Sequence, residues 1–186
     1  IVETVQGEAG ARAAQPAFLR ALRERCNETG ALLILDEIQA GMGRTGELFA
    51  FQHYGIQPDI LLLGKALGGG LPVGAFISSR EVMSVLTHDP VLGHISTFGG
   101  HPLPCVAGQA TLNVLLEEGL IDAVEAKAER FRQNLEGRPG VRQLHGKGLM
   151  MALEIGDFER VLATIQNLFH QHQVISDWFV FNNTAI

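Results

Sequence analysis

The chain has 186 residues, of which 46% are apolar and 18% charged, and its formal net charge at pH 7 is −6. The apolar share excludes disorder as the main state, and the negative charge argues against a basic nucleic-acid-binding face. No apolar run approaches the roughly 18 residues that a membrane-spanning helix needs; two cysteines are too few for a disulfide scaffold and favour a reducing, cytoplasmic compartment.

The first part of the chain alternates between helical and strand patterns. Apolar residues at helical spacing predict a helix over residues 17–29, with Pro16 in its first turn and Gly30 after its end. Continuous apolar runs at 31–35, 60–63 and 73–78 predict three buried strands. Strands and helices joined by short connections are typical of an α/β fold with a mostly parallel sheet.

The second part of the chain is predicted to be mostly helical. Apolar spacing indicates helices over 103–118, 121–136 and about 158–172, a strand over 149–155, and a β-rich end over 174–186. A Gly/Pro cluster at 137–140 is the strongest boundary signal. Because the chain opens and closes inside predicted strands, we expect it to be part of something longer.

Two charged residues follow predicted strands. Asp36 ends the first apolar run and Lys65 closely follows the second, and ligands in parallel sheets bind outside the carboxyl ends of strands. One interpretation is a structural Asp36–Lys65 ion pair. However, Lys65 precedes the glycines at 68–70, which leave space around its amine and allow positive φ. A lysine that bonds covalently to a planar cofactor needs that space.

Two other kinds of site are disfavoured. A nucleotide-hydrolase phosphate loop needs G-x-x-x-x-G-K followed by Ser or Thr, but Ala66 follows Lys65 and Asp59 stands where the first glycine belongs. The loop also comes after the acidic strand end, the reverse of the usual order. His170 and His172 lie two residues apart on a predicted helix and face different ways, so no metal site is expected.

Several motifs in order resemble class III pyridoxal-phosphate aminotransferases, most closely the acetylornithine and ornithine group. They are VETVQGEAG (2–10), LLILDEIQAGMGRTG (32–46), PDILLLGKALGGG (58–70) and STFGGHP (96–102). Thr4 stands where this family usually has proline. The resemblance implies a fold-type-I α/β architecture, with residues 1–120 in the later part of the large cofactor-binding domain. Residues 121–186 would form the interdomain helix and part of the small C-terminal domain.

The resemblance also implies how the chain would hold pyridoxal 5'-phosphate. Lys65 would form the resting Schiff base and, once freed, would move a proton between substrate and cofactor. Asp36 would pair with the pyridine nitrogen and keep it protonated. Gln39 would bond the phenolic oxygen, and Ile38 would pack on the ring face.

Three further residues have roles implied by the resemblance. Thr97, with Ser96 assisting, would reach the cofactor phosphate of the neighbouring subunit, so that a homodimer would share its active sites. Glu8 would hold an active-site arginine away when an ω-amine donor binds; the alternative is a solvated loop glutamate.

The implied activity is transfer of an amino group from an amine donor, such as an ornithine-like ω-amine, to 2-oxoglutarate. The family's amino-terminal phosphate cup, its ring-stacking aromatic residue and its substrate-carboxylate arginine are missing from these residues. We therefore expect the chain alone to be incomplete as an enzyme. The alternative is a folded fragment without catalytic activity that serves as an interaction domain.

Overall fold

The computed structural model describes residues 1–179 and 185. In this part of the chain, residues 2–78 contain a four-stranded sheet. Its strands, in spatial order, are β1 (Val2–Glu3), β4 (Ile34–Asp36), β5 (Ile60–Leu63) and β6 (Ala75–Ser78). β1, β4 and β5 run parallel, whereas β6 is antiparallel to β5. Two short strands, β2 (Val5–Gln6) and β3 (Arg12–Ala13), pair antiparallel beside it. The predicted α/β class with a mostly parallel sheet is confirmed.

The strand predictions differ from the structure mainly at their starts. The run at 60–63 is confirmed as β5, but the run at 31–35 becomes a strand only at Ile34. The physical reason is that Asp59 Oδ2 accepts the Leu33 N–H at 2.6 Å, so a side chain satisfies this backbone group. The run at 73–78 likewise begins late, at Ala75.

The predicted helix over 17–29 is confirmed as α1 (Pro16–Thr29), with Pro16 in its first turn. Gly30 follows its end with a φ of +71°, a left-handed conformation that glycine adopts without strain. The buried face of α1 covers the sheet. The core beneath it contains Leu19, Cys26, Leu33, Leu35, Tyr54, Ile56, Leu61 and Leu63. This core fixes β4 and β5 side by side.

Short helices connect the sheet to the rest of the chain. They are the 3-10 helices Ala50–Tyr54, Lys65–Gly68 and Val85–Thr87, and α2 (Arg80–Ser84). The predicted helix over 103–118 is confirmed as α3 (Pro102–Glu117), and the one over 121–136 begins later, as α4 (Val124–Leu135), because 121–123 form a turn.

The last region contains an antiparallel hairpin and a helix. The hairpin joins β7 (Gln143–Lys147) to β8 (Met150–Glu154), and α5 (Phe158–His172) confirms the third predicted helix. β7 is not predicted by its polar sequence, and β8 is shorter than the predicted 149–155. The β-rich end was wrong for residues 174–178, which form no regular structure; Ala185 bridges Glu154. Residues 180–184 and 186 of that prediction lie outside the described residues.

Candidate active site

Asp36 and Lys65 lie at neighbouring carboxyl ends of the parallel strands β4 and β5. Asp36 is the last residue of β4 and pairs in register with Leu62, and Lys65 comes two residues after β5 ends. The sheet therefore brings the two predicted residues to one edge. No ion pair within 4.0 Å joins them in the described part of the chain. The interpretation of a structural Asp36–Lys65 ion pair is therefore wrong.

The backbone of the Lys65 loop, defined as residues 64–70, packs against helix α3, and Lys65 itself is exposed. Leu67 donates its N–H to Gly64 O at 2.9 Å, and Gly69 donates to Ala66 O at 3.2 Å. Helix α3 approaches so closely that a Cβ on Gly108 would lie 2.5 Å from the Leu67 carbonyl oxygen. The glycine is therefore required for helix and loop to pack. The loop is supported at its backbone and open at its amine.

Lys65 has an unusual backbone conformation. Its φ is +46°, in the left-handed region that residues with a Cβ rarely adopt. Such strain costs of order 1–3 kcal/mol, persists only where the surroundings enforce it, and is concentrated at functional sites. Here the hydrogen bond from Leu67 N–H to Gly64 O closes the turn around Lys65, and α3 packs against the loop at Leu67.

The Asp36 turn, defined as residues 36–41, presents three of the predicted residues. Asp36 Oδ1 accepts the Ile38 N–H at 3.0 Å; Asp36 Oδ2 has no hydrogen-bond partner within residues 1–179 and 185. Ile38 packs against Gly64, where an added Cβ would lie 3.3 Å from Ile38 Cγ2. Gln39 therefore lies in a turn that packs, through Ile38, against the Lys65 loop.

Glu8 is brought to the same turn. Gln39 Nε2 donates a hydrogen bond of 3.3 Å to Glu8 Oε1, and the Gln39 amide lies against Gly7. Glu3 accepts the Gly7 N–H at 2.9 Å and so shapes the backbone that carries Glu8. Glu8 is half-buried and bonded, which disagrees with the alternative of a solvated loop glutamate.

Glu37 is the residue at this site that sequence reasoning did not single out. Its side chain is 1% exposed, and its two carboxylate oxygens accept the N–H groups of Ala50 at 2.7 Å and Phe51 at 2.6 Å. Burial raises the pKa of Glu37 to about 7, although the two backbone hydrogen bonds lower it. The available signal was an acidic residue inside an apolar segment, where charge is costly.

Ser96 and Thr97 lie in a separate, exposed segment. Ser96 lines a groove of about 740 Å³ between residues 71–74 and 98–104. Neither side chain forms a hydrogen bond with the Asp36 turn or the Lys65 loop in the described part of the chain. The structure thus brings together Lys65, Asp36, Ile38, Gln39 and Glu8, but not Ser96 or Thr97.

The described residues contain neither a metal-ligand cluster nor a membrane-spanning helix. No cluster of three His, Cys, Asp or Glu residues could hold a metal ion among residues 1–179 and 185. In the same part of the chain, every helix is too short or too polar to cross a bilayer.

This donor set has a definite chemical capacity. An exposed primary amine can bond to a carbonyl carbon, and a half-buried carboxylate with an unused oxygen can hold a protonated ring nitrogen. An amide and an aliphatic side chain beside them can orient a flat polar ring. The arrangement suits a planar heterocycle that carries an aldehyde.

Comparisons with known proteins agree with this capacity. Residues 1–177 match the family model described as aminotransferase class-III. An ornithine aminotransferase from Toxoplasma gondii, whose structure reveals partial occupancy of PLP at the active site, is 36% identical with a TM-score of 0.83. That match covers 97% of this chain and 43% of the Toxoplasma chain.

Two further solved structures are similar. The ornithine delta-aminotransferase of Plasmodium falciparum is 35% identical with a TM-score of 0.82, covering 96% of this chain and 46% of that one. N-acetylornithine aminotransferase from Stenotrophomonas maltophilia is 33% identical with a TM-score of 0.75, covering 89% and 43% respectively. This chain thus spans less than half the length of each of these structures.

Proposed function

The chain belongs to the class III aminotransferase family, and from this premise we propose that the protein containing it transfers an amino group using pyridoxal 5'-phosphate. The donor would be an ornithine-like ω-amine and the acceptor 2-oxoglutarate. The observation that carries the proposal is the placement of Lys65 and Asp36 at adjacent carboxyl ends of β4 and β5. Because the chain spans under half of its relatives, it would supply only part of the catalytic site.

The residues present fit this cofactor. Asp36 has one carboxylate oxygen engaged by Ile38 and the other without a partner in the described part of the chain, which suits a protonated pyridine nitrogen. Lys65 is exposed on a loop whose backbone is held by α3. An amine, a carboxylate and an amide at one sheet edge are the donor set that this aldehyde-bearing ring requires.

The bound cofactor would supply an electron sink for the substrate carbon. Lys65 would hold the cofactor covalently and, when its amine is free, would take the proton from the substrate carbon and return it. Asp36 would hold the ring nitrogen through a charge-assisted hydrogen bond. Ile38 would pack on the ring face, and Gln39 would bond the phenolic oxygen.

Glu8 supports the choice of an ω-amine donor. Its half-buried carboxylate accepts a hydrogen bond from Gln39, so it lies beside a residue that would touch the ring. A carboxylate in that position can bind and release a mobile arginine as an amine donor and a 2-oxo acid alternate. We assign this role to Glu8.

We also propose a homodimer in which Thr97, with Ser96, reaches the partner's cofactor phosphate. The supporting observation is a set of apolar side chains that are more than half exposed in and beside this segment, since patches of this kind mark interaction sites. They are Val91, Leu92, Ile95, Phe98, Leu103 and Val106. Backbone N–H groups and hydroxyls of such a loop can bind phosphate without adding charge.

Two organisational proposals remain. Residues 1–120 would belong to the large cofactor-binding domain, and residues 121–186 to the interdomain helix and small domain. Cys26 and Cys105 are both free, which supports a cytoplasmic location.

The proposed function is tested by purifying the full-length protein, adding pyridoxal phosphate, and measuring glutamate formed from 2-oxoglutarate. Ornithine and N-acetylornithine serve as competing donors. We expect a visible absorption band on cofactor binding and glutamate formation with at least the ornithine-like donor. A protein that develops no band and transfers no amino group would instead be a non-catalytic interaction domain.

A further inference from the structure

Glu37 is a buried carboxylate without a cationic partner. It is 1% exposed, and in the described part of the chain no Lys, Arg or His lies within 4.0 Å of it. Burying an ionised carboxyl group is costly unless it is well hydrogen-bonded. The N–H groups of Ala50 and Phe51, which donate to its two oxygens, offset part of this cost.

The partners of Glu37 form a rigid support below the site. Ala50 is fully buried, and Tyr54 of the same 3-10 helix is 4% exposed. Phe49 and Phe51 stack with ring centroids 5.9 Å apart and pack against the core below α1. The carboxylate is therefore tied to a packed element and not to a mobile loop.

The backbone of Glu37 makes two further connections. Its N–H donates to Leu62 O at 3.0 Å, which joins it to β5, and its carbonyl accepts the Gly41 N–H at 3.0 Å, which closes the turn. Glu37, which lies between Asp36 and Ile38, is thus bonded to β5, to Gly41 and to the 3-10 helix Ala50–Tyr54. We therefore expect a change at its side chain to shift the backbone between Asp36 and Ile38.

We propose that Glu37 is a positioning residue that holds Asp36 and Gln39 in place for the cofactor ring. This inference rests on the proposed function, since it concerns the same site. Glu37 does not touch the ring in this proposal; it acts through the backbone of the Asp36 turn. A buried, cation-free carboxylate that breaks the ordinary preference for apolar or paired residues is expected where a site must be held rigidly.

The test compares Glu37→Gln with Ser78→Ala in the full-length protein. Glutamine offers one acceptor oxygen, so its amide group faces one of the two backbone N–H donors and a hydrogen bond is lost. Ser78→Ala is the matched control, because it removes the 2.6 Å hydrogen bond from Ser78 Oγ to Asp59 O beside the start of β5, at the opposite end of that strand from the Asp36 turn. Both variants are compared in melting temperature and in their dissociation constants for pyridoxal phosphate, measured by titration of the apoprotein.

We expect Glu37→Gln to weaken cofactor binding by roughly tenfold, because losing one of the two hydrogen bonds loosens the Asp36 turn that would hold the ring. Ser78→Ala should lower the melting temperature and leave the dissociation constant unchanged. Equal cofactor affinity in wild type and Glu37→Gln would overturn the inference while leaving the proposed function intact. A wild-type protein that binds no cofactor would overturn the proposed function and, with it, this inference.

If the Glu37→Gln variant fails to fold, a second measurement, made on the wild type, still tests the inference. Cofactor bound at Asp36 should rigidify the bonds from Glu37 to Ala50 and Phe51, so amide hydrogen exchange at these two residues should slow on adding pyridoxal phosphate. Exchange at the β7–β8 hairpin serves as the internal reference. Unchanged exchange at Ala50 and Phe51 with saturating cofactor would contradict the role assigned to Glu37.

Discussion

The Asp36 turn and the segment 91–101 carry the two halves of the predicted site, and they differ in how they are held. The turn is bonded to β5, to the 3-10 helix Ala50–Tyr54 and, through Gln39, to Glu8. In contrast, every residue of segment 91–101 is exposed, and its backbone hydrogen bonds are local turns. The first region is positioned by contacts within this chain, whereas the second presents exposed apolar side chains.

This difference separates two kinds of function. A residue that must meet a reacting atom within a fraction of an ångström needs a rigid element behind it. A residue that completes another subunit's site is positioned by the interface. We therefore expect substitutions in the first region to act on chemistry and folding, and substitutions in the second to act on cofactor affinity and assembly.

The largest effect is expected at Lys65. Lys65→Ala in the full-length protein removes the covalent anchor and the proton-transferring amine, and should lower turnover by roughly 10⁴-fold or more. Because Lys65 is exposed, the fold should survive, which circular dichroism would check. Turnover within tenfold of wild type would place the catalytic amine elsewhere.

Asp36→Asn is expected to have the next largest effect on turnover. The amide cannot stabilise a protonated ring nitrogen, so turnover should fall by about 10²–10³-fold while cofactor binding weakens much less. Steady-state kinetics and cofactor titration separate the two effects. Equal losses in turnover and in cofactor binding would indicate that Asp36 acts only as an anchor.

The raised pKa of Glu37 predicts how the free energy of unfolding depends on pH. Its folded-state pKa of about 7 lies above its ordinary value of 4.5, so the fold favours the protonated form. Its stabilising contribution is therefore complete below pH 4.5 and is lost as pH rises through 7, by up to about 3 kcal/mol. Chemical denaturation should show this loss in wild type relative to Glu37→Gln. A constant difference between the two proteins across this pH range would refute the shift.

Thr97→Ala tests the second region. Loss of its hydroxyl should weaken cofactor binding by about 1.5–3 kcal/mol, the contribution of one hydrogen bond to a charged group, and leave folding unchanged. Mixing Thr97→Ala subunits with Lys65→Ala subunits should restore activity at limiting cofactor, because one hybrid site then carries neither change. If activity stays absent despite demonstrated subunit exchange, Thr97 serves its own subunit.

The smallest effect is expected at Thr4, in the strand end beside Glu3. Thr4 is fully buried, and its hydroxyl has no hydrogen-bond partner in the described part of the chain. Thr4→Val should therefore stabilise the protein by about 1 kcal/mol. Thr45→Val is the control, since the buried Thr45 hydroxyl lies 3.2 Å from His53 Nε2 and its removal should destabilise. The two variants are compared by urea denaturation; destabilisation by Thr4→Val would show that its hydroxyl is satisfied.

The same comparison explains what could be predicted from sequence. The strand β5, the helix α1 and the placement of Asp36 and Lys65 follow from local apolar runs, Pro16 and Gly30, which act within a few residues. The features that the sequence did not predict depend on hydrogen bonds between residues that are far apart in the sequence. The Asp59 side chain accepts the Leu33 N–H, and no local sequence pattern indicates that Glu37 bonds Ala50 and Phe51.

The polar hairpin strand β7 and the predicted β-rich end show the same limit. β7 is a strand because it pairs with β8, although its own residues include glycine and charged side chains that disfavour strands. Residues 174–178 are apolar enough for a strand but have no strand partner in the described part of the chain. Strand formation depends on a partner that a one-dimensional pattern does not contain.

The proposal that Lys65 bonds the cofactor is tested most directly by chemical labelling. The full-length protein is incubated with pyridoxal phosphate, reduced with borohydride so that the bond becomes permanent, digested and mapped by mass spectrometry. We expect the label on the peptide containing Lys65, with no label in Lys65→Ala. Label on Lys127 or Lys147 instead, in the native protein, would contradict it.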